Sequence, residues 1–402
     1  MNKKITMIEP VDMSKPMFGN GIATVVASAI RVMGDRLILI GLTSNEKKHP
    51  VGHWCQTTLF GKTCEFFPVM TVDELNGKYI KNLSFTLRLI RSWFALLPKT
   101  TDVVITQNYM VMWWLSWSKR FRQKIFYFPG LGNQFLIGRK PRLGKLLYRL
   151  YDRLNFFHLS RINLILAAAS QNEIKEYQRK WQNRLHNKPI HQLPTSVDTE
   201  LFSPQQNLKL LKRKYNLQDK MTYFVCVGRL ARVKGIDFLI DSLQYFHKQF
   251  GTATLLLIGE GEKREALEKY VHKKNLEQFV RFFGNRLPEE VSDIVNCADL
   301  CVIGSTFEGF SCAMVEQIAC GKPLVSTDVS GASEIIEEGV NGFIVKDRYP
   351  AAFALAMNKA LNLQGAGERS RKIALNKYSE NVVWNTFVNL MEDSLEKVTS
   401  LV

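Results

Sequence analysis

Long apolar runs are missing from this 402-residue sequence; none approaches the roughly eighteen residues that cross a bilayer as a helix. The opening, Met1-Asn2-Lys3-Lys4-Ile5, lacks the apolar core of a signal peptide. The seven cysteines (55, 64, 226, 297, 301, 312 and 320) form no Cys-x-x-Cys pair, and most sit in apolar runs. That excludes a zinc ribbon or a disulfide framework and predicts buried free thiols in a reducing cytoplasm. The seven histidines show no metal spacing, and no cluster of acids does either, so no essential metal is expected. No repeat, low-complexity segment, zinc finger, helix-turn-helix or RNA-recognition signature is present, which argues against nucleic acid as a partner. Acid is scarce in the first half. Residues 1–199 hold 29 Lys and Arg against 12 Asp and Glu, whereas residues 200–402 hold 25 of each, so the net charge of +17 belongs to the first half. A basic surface of this kind calls for an anionic partner: a membrane or a phosphorylated substrate.

What is present is an ordinary globular composition, 46% hydrophobic and 23% charged, in a chain long enough for two domains. The stretch from Gly304 to Gly331 organises the rest. Leu300–Ile303 reads as a buried strand, Ser305–Gly309 as a loop, Ser311–Cys320 as a helix, and Leu324–Thr327 as the next strand. Glu308 therefore stands in a loop at the carboxyl end of a strand, the edge where open α/β sheets bind ligands. Glu316 follows on the helix. The backbone N–H groups of Phe310, Ser311 and Cys312 open that helix, where unpaired donors and the dipole favour a phosphate. Two carboxylates beside a phosphate site suit neutral hydroxyls, one set on a sugar and one on a ribose.

Elsewhere strand and helix signals alternate, as in a parallel doubly wound sheet. In the first half, Ile5–Glu9, Leu37–Gly41, Asp102–Thr106, Lys124–Phe128 and Asn163–Ala168 read as strands, and Ile22–Met33 and Tyr79–Leu97 as helices. In the second half the strands are Tyr223–Val227, Thr254–Ile258 and Val280–Gly284. Pro194 argues against a central strand and marks a boundary.

Several of these pieces together resemble the retaining GT-B glycosyltransferases of family 4. Glu308 and Glu316 within Glu-Gly-Phe-Ser-Cys-Ala-Met-Val-Glu match that family's Glu-x7-Glu signature. Gly228-Arg229-Leu230-Ala231-Arg232-Val233-Lys234-Gly235 is similar to its Gly-Arg…Lys-Gly motif, and Gly19-Asn20-Gly21 to its first-domain glycine loop. Ile190–Phe202 resembles its hinge, with Thr195-Ser196 where Asn-Gly is usual. The resemblance is specific over about 190–350 and looser over 1–190. It implies two Rossmann-like domains facing a central cleft: residues 1–195 for the acceptor, 196–377 for the nucleotide sugar, and a helix over 378–402 crossing back. It implies that Gly19, Asn20, Gly21, Gly228, Arg229, Lys234, Glu308, Gly309, Phe310, Ser311, Cys312 and Glu316 bind the donor. Arg229 and Lys234 would hold the diphosphate, Glu308 the sugar and Glu316 the ribose. The loop after Phe283-Gly284 would pack on the base. A UDP- or GDP-sugar donor and a glycan or lipid-linked acceptor follow, as in bacterial lipopolysaccharide, O-antigen or capsule synthesis. A GT-B sugar-nucleotide epimerase or phosphorylase, or a non-catalytic binder, shares the fold. One departure stands out. Where many relatives carry a His near the sugar, the segment Tyr127–Asn133 has Pro129, which leaves Asn133 or Gln107-Asn108 for that position.

Two basic clusters lie in the first half. Lys119, Arg120, Arg122 and Lys124 follow Trp113, Trp114 and Trp117. Arg139, Lys140, Arg142, Lys145, Arg149 and Arg153 interleave with leucines at helical spacing. The second reads as an amphipathic basic helix, with Arg142, Lys145 and Arg149 on an anionic membrane at the inner face of the plasma membrane.

Overall fold

Short runs rich in aliphatic and β-branched residues, the central ones buried along their whole length, build two sheets. In a computed structural model, all residues are described except 1–2, 16–20, 79, 132–150, 184, 186–187 and 400–402. The chain divides into two compact units, Met1–Pro194 with Val383–Val402, and Thr195–Val382.

The first unit holds β1 (Ile5–Asp12), β2 (Leu37–Thr43), β3 (Cys55–Leu59), β4 (Lys62–Thr71), β5 (Val103–Thr106), β6 (Gln123–Phe128), β7 (Leu164–Ala167) and β8 (Ile190–Gln192). They form one sheet in the order β3-β4-β2-β1-β5-β6-β7-β8. Every pairing is parallel except β3 with β4, a hairpin on the edge. The continuous burial of β2, β5 and β7 fits a parallel sheet covered on both faces. The helix expected over Tyr79–Leu97 is two, Lys81–Arg91 and Trp93–Leu96, separated at Ser92. Phe85 and Leu89 of the first fill the core with Val104, Val111 and Leu115.

The terminal helix, Glu380–Thr399, completes this unit from its far end. Trp384, Phe387 and Met391 are fully buried. Trp384 Nε1 donates to Ser28 Oγ at 2.7 Å, and Gln123 Nε2 donates to the Met391 carbonyl at 2.7 Å.

The second unit holds β9 (Thr222–Val227), β10 (Ala253–Ile258), β11 (Val280–Gly284), β12 (Leu300–Ile303), β13 (Leu324–Thr327) and β14 (Gly342–Val345). All are parallel, in the order β11-β10-β9-β12-β13-β14. Helices Ile236–Gln249 and Pro350–Leu361 pack Phe238, Leu239, Phe353 and Met357 into its core. The chain winds outward from β9 to β11, then restarts at β12 on the other side of β9. Such a reversal opens a crevice beyond the carboxyl ends of the two central strands.

Candidate functional site

Both charged motifs of the second half arrive at that crevice. β9 delivers Gly228 to Gly235, and β12 delivers Gly304 to Gly309. The two loops touch backbone to backbone. Gly235 has φ +58°, and a Cβ there would stand 2.1 Å from the Gly304 carbonyl oxygen, so only glycine fits. Thr306 N–H donates to the Val233 carbonyl at 2.8 Å. A third loop is knitted in, because Leu230 N–H donates to the Glu260 carbonyl and Lys263 N–H to that of Leu230, each at 2.9 Å. A fourth joins through Gly259 N–H to the Gly284 carbonyl at 2.8 Å.

On this frame Lys234 Nζ donates to both oxygens of Glu308, at 2.7 and 2.9 Å. Ser305 Oγ donates to the same carboxylate, at 2.5 Å from Oε1. Glu308 is buried. A buried carboxylate needs such partners, and here a cation and a hydroxyl supply them. Arg229 is exposed, and no side-chain partner binds it among the described residues. It stands on the same loop after β9 as Lys234.

The helix Cys312–Ala319 starts at Ser311, whose side chain makes no capping bond. Phe310 is held by Thr195 Oγ1, which donates to its carbonyl at 3.1 Å. Burial pushes the Cys312 thiol up to about 12, so it stays protonated and is no nucleophile. Burial also pushes the Glu316 carboxyl up to about 7. It therefore changes charge near neutrality.

The structure thus brings Gly228, Arg229, Lys234, Glu308, Gly309, Phe310, Ser311, Cys312 and Glu316 together at one sheet edge. Gly21 begins the helix Gly21–Met33 of the first unit. Gly19 and Asn20, with Asn133, Arg142, Lys145 and Arg149, lie outside the described residues. Of the candidates to replace the missing His, Asn108 is committed elsewhere. Its Oδ1 accepts from Met110 N–H at 2.9 Å and Val111 N–H at 3.2 Å, capping the helix Tyr109–Trp117. Gln107 is buried, and its N–H donates to the carboxylate of Glu9 within β1. Burial pushes the Glu9 carboxyl up to about 8.

Residues 209–380 match the family model described as Glycosyl transferases group 1. Over that stretch the chain is similar to the group 1 glycosyltransferases. It is 29% identical over 189 residues to an uncharacterised glycosyltransferase of Methanocaldococcus jannaschii, covering 46% of this chain and 48% of that protein. It is 26% identical over 219 residues to the GDP-mannose-dependent alpha-(1-6)-phosphatidylinositol monomannoside mannosyltransferase of Mycobacterium tuberculosis, covering 51% and 55%. The chain spans about half the length of these curated relatives. Among solved structures, sucrose-phosphate synthase from Thermosynechococcus elongatus aligns with a TM-score of 0.76 at 19% identity, covering 97% of this chain and 98% of that one. Anabaena HepE in complex with UDP aligns at 0.71 and 17%, covering 97% and 100%. The lipopolysaccharide outer core galactosyltransferase WaaB aligns at 0.63 and 17%, covering 97% and 99%. These likenesses are of fold, and the fold is GT-B.

The motifs miss one supporting residue of this site. Arg348 Nη1 donates to the carbonyls of Gly304 and Ser305, and its guanidinium lies 4.4 Å from the centre of the Phe238 ring. It fixes the loop that presents Glu308. Nothing local in the sequence announces this, because Arg348 stands more than forty residues along the chain, just past β14.

Proposed function

We propose that this chain is a retaining glycosyltransferase that moves a sugar from a nucleotide-diphosphate sugar to a glycan or lipid-linked acceptor. The setting is cell-surface polysaccharide synthesis at the inner face of the plasma membrane. The observation that carries the reading is the Lys234–Glu308 ion pair, on loops that meet at the switch point of the second unit, with the exposed Arg229 on the same loop as Lys234. A fork of donors and a point cation suit two adjacent phosphates. Support comes from neighbours whose names specify UDP, GDP-mannose or a lipopolysaccharide core.

Catalysis in this reading is positioning and charge stabilisation. The bond between the anomeric carbon and the leaving phosphate oxygen breaks, and electrons flow onto the diphosphate. Arg229, Lys234 and the start of the helix at Ser311 offset that charge. A bond forms from the acceptor oxygen to the anomeric carbon on the same face, and the acceptor proton passes to the leaving phosphate. Glu308 orients the sugar hydroxyls and Glu316 the ribose diol. These cations do the work of a divalent metal.

The deciding experiment is a thermal-shift panel of UDP-, GDP- and ADP-sugars, with transfer measured for any donor that shifts the protein. One nucleotide class should stabilise it. Arg229→Ala should remove most of the transfer rate, roughly 3–4 kcal/mol in the barrier, and leave the fold intact. Activity should survive EDTA. No shift with any donor, or an Arg229→Ala protein at the wild-type rate, would overturn the reading.

A further inference from the structure

The helix Lys81–Arg91 carries two apolar stripes where folding needs one. Phe85 and Leu89 face the core and are fully buried. Leu83, Leu87 and Ile90 recur at spacings of four and three and are exposed, as are Ile80 before them and Phe94 after them. Phe94 is 85% exposed. A surface helix has polar residues opposite its core stripe, so a second apolar stripe must serve something outside the fold.

The stripe does not stand alone. Among the described residues, all the exposed large apolar side chains of the first unit fall within residues 80–94, 117 and 154–157. These segments pack side by side. The Trp93 and Trp114 rings are 4.8 Å apart, and the Trp117 and Phe157 rings 5.9 Å. Trp117 is 62% exposed. The Arg161 guanidinium lies 4.5 Å from the Trp117 ring centre and 4.0 Å from that of Phe157.

The charge along this segment has one sign, although Glu74 and Glu65 from neighbouring elements pair with Arg88 and Lys99 and leave Lys78, Lys81 and Arg91 as the surplus. Residues 77–99 contain five cations (Lys78, Lys81, Arg88, Arg91 and Lys99) and no acid. A second copy laid on the stripe would bring like charges together. Acidic headgroups over an apolar layer match both features. Exposed Trp and Phe suit the depth where the two meet, and Lys and Arg can bury their stems while keeping their charges wet.

We infer that the face built by Leu83, Leu87, Ile90, Phe94, Trp117 and Phe157 docks the first unit onto an anionic bilayer. This deepens the membrane setting proposed above but stands on other residues than Arg142, Lys145 and Arg149. The whole protein is sedimented with vesicles of neutral lipid, or of neutral lipid with one-third anionic lipid, at low and high salt. Wild type should bind the anionic vesicles, and less at high salt. A variant with Leu83→Gln, Leu87→Gln and Ile90→Gln should lose at least tenfold in binding. Its melting temperature should hold, since these side chains are exposed and Gln is a good helix former. Its donor-induced thermal shift should hold too, so a failure of the transferase reading shows separately, as no shift in either protein.

If wild type ignores anionic vesicles, the face and the membrane setting both fall. If the triple variant binds like wild type while Arg142→Glu, Lys145→Glu and Arg149→Glu abolish binding, only this face falls. If light scattering finds a wild-type dimer that the triple variant dissolves, the face joins two copies and the inference is wrong.

Discussion

Two buried carboxylates tie this molecule to pH, in opposite functional senses. Glu316 has its carboxyl raised to about 7 by burial. Its ionised form accepts two hydrogen bonds from a diol, and the protonated form accepts fewer. Donor KM should therefore fall as pH rises through 7 in wild type and stay flat in Glu316→Gln, with kcat little changed. Glu308→Gln should instead lower kcat, because the proposed mechanism sets this carboxylate, with Lys234, against the reacting sugar. A kinetic pH series separates the two, and a Glu316→Gln protein that keeps the wild-type slope would contradict the assignment. Glu9 concerns stability. Burial holds its folded carboxyl at about 8 against an ordinary 4.5, so the native state holds the proton longer than the unfolded chain. Stability from this group is full below pH 4.5 and drains away as pH climbs towards 8. Glu9→Gln, neutral at every pH, should melt increasingly above wild type between pH 5 and 8. Parallel melting curves would refute that. In the sequence Glu9 looks like an ordinary acid at the end of a strand, and only the parallel pairing of β1 with β5 reveals its burial.

The elements were legible where burial is complete on both faces. β12 and β13 are apolar runs bounded by Gly304 and Gly321, and the structure places them as the pattern predicts. The hairpin of β3 and β4 was not. Gln56 and Thr58 alternate with a buried Thr57, which hides the apolar stripe, and the turn puts Phe60 at φ +52° where Asn would have advertised it. β8, three residues long, is invisible for want of length. The contact of Gly235 with Gly304 was also hidden, since no single stretch contains both. Gly235→Ala should cost more than the roughly 1–2 kcal/mol that a left-handed backbone asks of alanine, because its Cβ also meets the Gly304 oxygen. Gly339→Ala, at φ +72° with nothing within 4 Å, pays the backbone part alone and serves as the control. Equal losses in melting temperature would mean the two loops are not pressed together.

At the scale of the whole chain, charge and motif divide cleanly. The second unit carries the residues that match the family, and the first carries the surplus of cations. Sequence alone located that surplus but assigned it to the leucine-spaced cluster, and the apolar stripe on Lys81–Arg91 went unnoticed because its helix reads as one amphipathic face rather than two. The return of the chain at Val383 to the unit it left at Pro194 has its own outcome. The first unit is built from both ends of the chain, with the second spliced into it. A protein ending at Val382 should keep a folded second unit, yet lose the Trp384 bond to Ser28 and the Met391 bond to the Gln123 amide, and leave a trough where Trp384, Phe387 and Met391 belong. Limited proteolysis should then cut the first unit and spare the second; equal resistance in both would disprove this. On the ribosome the same arrangement fixes an order of events. Until residues 383–402 follow, the sheet built from residues 5–192 lacks the cover of Trp384, Phe387 and Met391.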